Sequence, residues 1–152
     1  MNHLLTNSST SIVKNHNFAY CITNNDYAHA EGFGTTASGV NSHSEGYATT
    51  AAGDSSHAEG GSSENSFSGG YAGSDGSHAE GAYTIASGDS SHSEGSYTTA
   101  SGYYSHTEGA GTKASGTASH AEGTSTTASG NYSHAEGSNT TALGFVAIKG
   151  GY

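Results

Sequence analysis

The feature that most constrains this chain is a motif that returns at a fixed distance. Ser133-His134-Ala135-Glu136-Gly137 is one copy. His29, His43, His57, His78, His92, His106, His120 and His134 each open a His-x-Glu-Gly, so eight copies run along the chain. From His78 to His134 they are spaced 14 residues apart each time. Between most copies stands a second motif, Thr-Thr-Ala-Ser-Gly, as in 35–39, 98–102 and 126–130. A short, fixed period belongs to solenoids and arrays, where each unit buries its surface against the next.

Each 14-residue unit divides into two sevens of the form [Ser/Thr]-x-Ala-x-Gly-x-x. The first five residues of a seven alternate small and variable, the period of a strand. The glycine and the two residues after it predict a tight turn, because glycine accepts positive φ at little cost. Two short strands and two turns make one coil of a flattened parallel β-solenoid, rising about 4.8 Å per coil. Alternation then assigns faces. Ser/Thr and Ala fill a thin interior. His and Glu point outward on one flat side, and Thr and Ser on the other.

Composition alone, with 24 Gly, no Pro, no Trp and 31% hydrophobic residues, would suit a disordered chain. Disorder, however, does not demand a 14-residue register. Stability is expected from backbone ladders and stacked small side chains rather than from a conventional core. The formal charge of −10, with Lys14, Lys113 and Lys149 as the only basic residues besides His, argues against nucleic acid and anionic membranes as partners. Ten His would nearly cancel that charge if protonated, so the surface should respond to pH between about 5 and 7.

Residues 1–26 follow the repeat poorly and read as an N-terminal cap or docking segment, the repeats as 27–144, and residues 145–152 as a C-terminal cap strand. Leu4-Leu5 and Ile12-Val13 are too few for a signal-peptide core, and no run suits membrane insertion. His57 to His78 is 21 residues. Either a loop interrupts one coil, within 61–76 and with Phe67 and Tyr71 at its base, or the path slips by half a coil. The loop is preferred, because a slip would carry the His column to the other side. Val146-Ala147-Ile148 reads as a strand with apolar residues in the His and Glu slots. An adhesive end is the alternative to a cap there, with Ile12, Val13, Phe18, Phe145, Val146 and Ile148 as candidates for end-to-end contact. Cys21 is the lone cysteine and is expected to be a buried structural thiol.

The repeat resembles the YadA-like (Hep-Hag) head repeat of trimeric autotransporter adhesins, whose hallmark Ser-Val-Ala-Ile-Gly alternates with Ala-x-Gly units at the same period. Ser77–Gly81, Ser-His-Ala-Glu-Gly, stands in that slot. Similar Ser-His-Ala-Glu-Gly repeats look like those of phage and prophage tail-fibre proteins. The resemblance covers about Tyr27 to Gly144 and implies a left-handed β-roll, a homotrimer of three rolls side by side, and an extracellular, cell-surface or virion setting. It places the Val and Ile slots at the trimer axis. Carried over, the oligomer interface consists of His29, Glu31, His43, Glu45, His57, Glu59, His78, Glu80, His92, Glu94, His106, Glu108, His120, Glu122, His134 and Glu136. The chain departs from the family there, since ionisable pairs replace apolar ones. No signal peptide, stalk or anchor barrel is recognisable, which favours a fibre segment attached to other proteins or a self-assembling filament.

Chemistry was weighed against these structural roles. His and Glu at i,i+2 are adequate metal ligands, yet eight uniform copies read as a lattice, so no cofactor and no dedicated metal site is expected and the His/Glu pairs remain the only weak candidates. The pairs suit general base work, but a uniform ladder offers no converging pocket, so no enzyme is expected. Thr36, Thr50, Thr99, Thr127 and Thr141, beside Ser38, Ser87, Ser101, Ser115 and Ser129, form a column that resembles an ice-binding face, interrupted by Ile85, Lys113 and Leu143. Tyr47, Tyr83, Tyr97, Tyr104 and Tyr132 could stack on a cell-surface glycan. The leading expectation is a trimeric fibre protein for adhesion or host attachment, with a glycan or protein as partner. The alternative is a filament or appendage subunit stacked end to end.

Overall fold

The computed structural model describes residues 12–14, 21–61 and 69–151. Among them are nineteen strands, β1 to β19, and no helix. They form a parallel β-solenoid of about nine coils. A ten-stranded sheet holds the His-x-Glu segments: β3 (His29–Phe33), β5 (His43–Tyr47), β7 (His57–Gly60), β9 (His78–Ala82), β11 (His92–Ser96), β13 (His106–Ala110), β15 (His120–Thr124) and β17 (His134–Gly137). β1 (Ile12–Lys14) and β19 (Ile148–Gly151) flank them. A nine-stranded sheet holds the second sevens: β2 (Cys21–Thr23), β4 (Thr35–Ala37), β6 (Thr50–Ala51), β8 (Tyr71–Ala72), β10 (Ile85–Ala86), β12 (Thr99–Ala100), β14 (Lys113–Ala114), β16 (Thr127–Ala128) and β18 (Thr141–Ala142).

Every described rung pairs in register with the next, so the repeated residues of the motif lie on their own kind. His92 pairs with His78 and His106, and Ala100 with Ala86 and Ala114. The interior is as thin as the sequence requires. Ala30, Ala58, Ala79, Ala121 and Ala135 from one sheet meet Ala37, Ala51, Ala86, Ala100 and Ala128 from the other, all fully buried. Buried Ser and Thr close the two edges. Ser42, Ser56, Ser105, Ser119 and Ser133 each donate a hydroxyl hydrogen bond to the carbonyl three residues back, at 2.6–2.7 Å. That bond lets a small polar side chain sit inside without an orphaned hydroxyl.

The 21-residue interval leaves the His column on its sheet. His57 pairs with His78, and Thr50 with Tyr71, so the seven extra residues contribute no rise. Residues 62–68, with Phe67, lie outside the described residues. The chain rejoins the repeat at Gly69, whose N–H donates to the Tyr47 carbonyl at 3.0 Å. Tyr71 is a strand residue there, exposed in the outward Thr column.

Three details differ from the expected pattern. β1 and β2 already add in-register rungs before residue 27, pairing Ile12 with His29 and Cys21 with Thr35. At the other end Val146 is a turn residue with φ of 52°, and the strand begins at Ile148. The 14-residue register explains this: Ile148 pairs with His134 and Gly150 with Glu136, so Ile148 alone takes a His slot and glycine takes the Glu slot. Cys21 is half-buried rather than buried, its thiol 3.2 Å from the Gly32 carbonyl.

In both glycine columns a Cβ would meet the backbone of the next coil, as at Gly102 and Gly109, and the column on the His sheet has a conformational reason besides. Gly32, Gly46, Gly81, Gly95, Gly109 and Gly123 have φ between 101° and 115°, a region L side chains rarely adopt. Gly39, Gly88, Gly102 and Gly116 do not have positive φ, and a Cβ on any of them would collide with the carbonyl of the glycine in the next coil. There the turn's positive φ falls two residues later, on Asn41, Ser90, Tyr104 and Ala118. Gly102→Ala should therefore cost at least about 3 kcal/mol, because the backbone it meets cannot yield. Gly111→Ala, with φ of 67° and only ordinary van der Waals contact with Ser125 beyond, should cost only about 1–2 kcal/mol. Urea unfolding of the two variants checks the order; a costlier Gly111→Ala would contradict it.

Candidate functional site: a ladder of imidazoles and carboxylates

Alternation along β3 to β17 turns Ala, Ser or Thr inward and sends both His and Glu outward, so all sixteen candidate residues occupy one face of the ten-stranded sheet. They form two columns. The eight imidazoles stack at centroid separations of 4.6–4.8 Å. Neighbouring planes lie within 9° of parallel, except that His134 tilts 45° against His120. Each ring presents Nε2 toward the glutamate column. His78 Nε2 lies 3.8 Å from Glu59 Oε1 and 3.7 Å from Glu80 Oε2. His134 Nε2 lies 3.5 Å from Glu122 Oε1 and 3.7 Å from Glu136 Oε2. His106 to Glu94 is 3.7 Å, and His43 to Glu45 is 3.9 Å. These are ion-pair distances but too long for hydrogen bonds. The Nε2 atoms of His43, His57, His78, His92, His106, His120 and His134 are buried and make no hydrogen bond among the described residues.

Stacking like on like sets the electrostatics. Two full positive charges at this ring spacing repel by about 1 kcal/mol in bulk water and roughly 3–4 kcal/mol at an effective dielectric of 20. The stack therefore resists full protonation. Burial, and then the neighbouring imidazoles, hold His57, His92 and His120 below the usual imidazole range.

The carboxylates alternate along their column. A hydrogen bond with Glu94, followed by burial, pushes Glu80 up to about 7. Hydrogen bonds with Glu122 and Glu94 push Glu108 up to about 7. Burial, then hydrogen bonds with Glu59 and Glu31, raises Glu45. The intervening groups go the other way. Glu94 is lowered by its hydrogen bond with Glu80, and Glu122 by its bond with Glu108. Burial pushes Glu59 up, but hydrogen bonds with Glu80 and Glu45 and the charges of His57 and His78 outweigh it. Adjacent carboxyls thus share a proton, because neighbours this close cannot both ionise freely. Beside them runs a shallow open trough of ≈ 780 Å³, walled by Glu59, Glu80, Glu94 and Glu108 and floored by glycines such as Gly81 and Gly95.

The other candidates are dispersed. Phe145, Val146 and Ile148 are exposed at the last coil, while Ile12 and Val13 sit on β1 at the opposite end of the sheet. Phe18 lies outside the described residues. The outward column of the nine-stranded sheet reads Ile22, Thr36, Thr50, Tyr71, Ile85, Thr99, Lys113, Thr127, Thr141 in rung order, so threonine never runs beyond two rungs. The tyrosines divide between the two turn edges. Tyr47 stacks on Phe33, and Tyr83 on Tyr97 at 4.7 Å, which hides ring faces from a sugar. Tyr104 and Tyr132 follow the second strand of their coils, on the other edge.

Sequence reasoning missed one column. All four aspartates, Asp26, Asp54, Asp75 and Asp89, fall at one turn position. Asp54 Oδ1 accepts from the Val40 N–H at 2.8 Å, Asp75 Oδ1 from the Asp54 N–H at 3.0 Å, and Asn131 Oδ1 from the Thr117 N–H at 2.9 Å. Each side chain caps the turn of the preceding coil. The 14-residue spacing of Asp75 and Asp89 was the available signal.

Glu80 faces Glu59, Glu94 and His78, and Glu108 faces Glu94 and Glu122. A raised carboxyl binds a proton more tightly folded than unfolded. Its contribution is complete below its unfolded value near 4.5 and is lost as pH rises through about 7. Glutamine mimics the protonated form. In metal-free buffer, the melting temperature of the wild-type chain should fall relative to Glu80→Gln/Glu108→Gln by a few degrees between pH 6 and pH 8. Parallel curves would contradict the shared protons.

A family model for the YadA head domain repeat (2 copies) matches residues 30–56, 79–105 and 121–147, together more than half of the chain. A search of curated proteins finds no match.

Proposed function

Because this chain belongs to the family of YadA head domain repeats, we propose that it is a rigid structural segment of an extracellular fibre, in which three copies pack side by side through their His/Glu faces. The family is a non-enzymatic adhesin type whose members form homotrimers and are typically surface-exposed. The observation that carries the reading is the unbroken His/Glu face. It is flat and repeats every coil, and its buried imidazole nitrogens, His29 aside, meet no hydrogen-bonding partner among the described residues. Left-handed rolls around a common axis would bring a His and a Glu from each copy to every level. Buried ionic networks of this kind contribute little net stability but fix register. A regular rod of this sort serves adhesion or host attachment, as a surface adhesin or a tail fibre, with a glycan or protein as the partner.

A second reading rests on the last coil. Leu143, Phe145, Val146 and Ile148 are each 62–82% exposed there, next to β19, the last strand of its sheet among the described residues. An open edge beside apolar side chains invites another strand, which favours end-to-end filaments.

Light scattering at pH 7.5 separates the two. The trimer reading expects three times the 15.1 kDa chain mass. It also expects His92→Ala/Glu94→Ala to shift the population toward single chains while circular dichroism keeps the strand signal. A filament expects a large, length-distributed species that disappears when residues 145–152 are deleted. A single-chain mass, or assembly that ignores the His92/Glu94 change, would overturn the side-by-side arrangement.

A further inference from the structure

We infer that the His/Glu ladder binds divalent transition-metal ions of the zinc class, each held by one imidazole Nε2 and the carboxylates of two successive rungs. All three ligands of each ion come from one chain, so the site does not depend on the trimer. Zn–N and Zn–O bonds are each about 2.1 Å, so two ligands of one tetrahedral ion sit roughly 3.4 Å apart. His134 Nε2 already lies 3.5 Å and 3.7 Å from oxygens of Glu122 and Glu136. His78 Nε2 lies 3.8 Å and 3.7 Å from oxygens of Glu59 and Glu80. A contraction of a few tenths of an ångström, well within the freedom of a glutamate side chain, brings three donors onto one ion.

The ladder also wants a cation where the ion would sit. The buried Nε2 atoms of His78 and His134 make no hydrogen bond among the described residues, and an imidazole nitrogen is a common metal ligand. The carboxylates stack in one column and have no Lys or Arg beside them on the inner rungs. A divalent ion between two rungs would neutralise both. The open trough beside Glu59, Glu80, Glu94 and Glu108 lets a hydrated ion reach the carboxylates from solvent. Further groups of the same type recur along the ladder, such as Glu94, His106 and Glu108, with ligand atoms within 4.8 Å of one another. The mixed N/O donor set suits zinc, nickel or copper rather than calcium or magnesium, which prefer all-oxygen sites. The uniformity that speaks against catalysis is no obstacle here, because a lattice of sites binds several ions in a row.

The test is calorimetric titration of the 152-residue chain with ZnCl2, with CaCl2 and MgCl2 as competitors and the mass measured in parallel. The expected result is more than one Zn2+ per chain, undisturbed by excess Ca2+ or Mg2+. Glu59→Gln/Glu80→Gln/Glu122→Gln/Glu136→Gln keeps the imidazole stack but removes the carboxylate ligands. Losing a ligand costs at least what losing its hydrogen-bonded support costs, about 10- to 100-fold in affinity. On the wild-type chain, 15N spectra of the imidazoles should show Zn2+ moving Nε2 rather than Nδ1 of His78 and His134, whether or not the variant folds. No binding, equal binding by the Gln variant, equal competition by Ca2+, or unmoved Nε2 signals would each overturn the proposal. A single-chain mass that still binds Zn2+ would overturn the trimer alone, and a trimer indifferent to Zn2+ would overturn the metal alone.

Discussion

A rise of one strand spacing per coil puts every side chain within about 4.8 Å of its counterpart in the next coil. The rest of the structure follows from that contact of like with like. Alanine stacks on alanine and fills an interior too thin for leucine. Glycine stacks on glycine because the carbonyl of the next coil occupies the place of a Cβ. Serine and threonine fit inside by size: Ser93 meets Thr98 at 2.8 Å, whereas the buried hydroxyls of Thr35, Thr84, Thr112 and Thr126 have no hydrogen-bond partner among the described residues. Aspartate and asparagine suit the turn because their oxygens cap the amide of the preceding coil.

The same rule makes the His/Glu face unusual. Self-stacking costs apolar or hydroxyl side chains nothing electrostatically, whereas ionisable groups must avoid carrying like charges on adjacent rungs. Imidazoles do so by stacking with some members held below their usual protonation range. Carboxylates do so by sharing protons in alternation. The face is thus flat and regular, and its imidazoles and carboxylates point outward. A repeating, shallow surface of this kind suits fibre architecture better than catalysis, which needs different groups converging on one point.

Much of this was legible in the sequence because period and alternation are the two signals that survive without an alignment. The 14-residue spacing gave the coil, and alternation placed His92 and Glu94 outside and Ser93 inside, as observed. What was not legible concerned the turns and the ends. Gly102 and Gly109 look alike in sequence and neither has room for a Cβ, yet Gly109 alone also needs positive φ, a distinction set by the turn each one enters. The aspartate column was overlooked because its members are spread over a turn position that also accepts Val40, Tyr103 and Thr117. At the end, apolarity at Val146 suggested a strand, whereas register carried that residue into a turn. Local composition gave way to register in each case.

The most direct test of the register is a distance across the insertion. With Cys21 replaced, spin labels at Thr50 and Thr127, both outward on the nine-stranded sheet, are separated by five rungs through Tyr71, Ile85, Thr99 and Lys113. Pulsed electron-electron resonance, with labelled chains diluted in unlabelled ones, should give a narrow distribution near five strand spacings, about 24 Å. A broad distribution, or one displaced to the width of the opposite sheet, would contradict a single unbroken register of like on like.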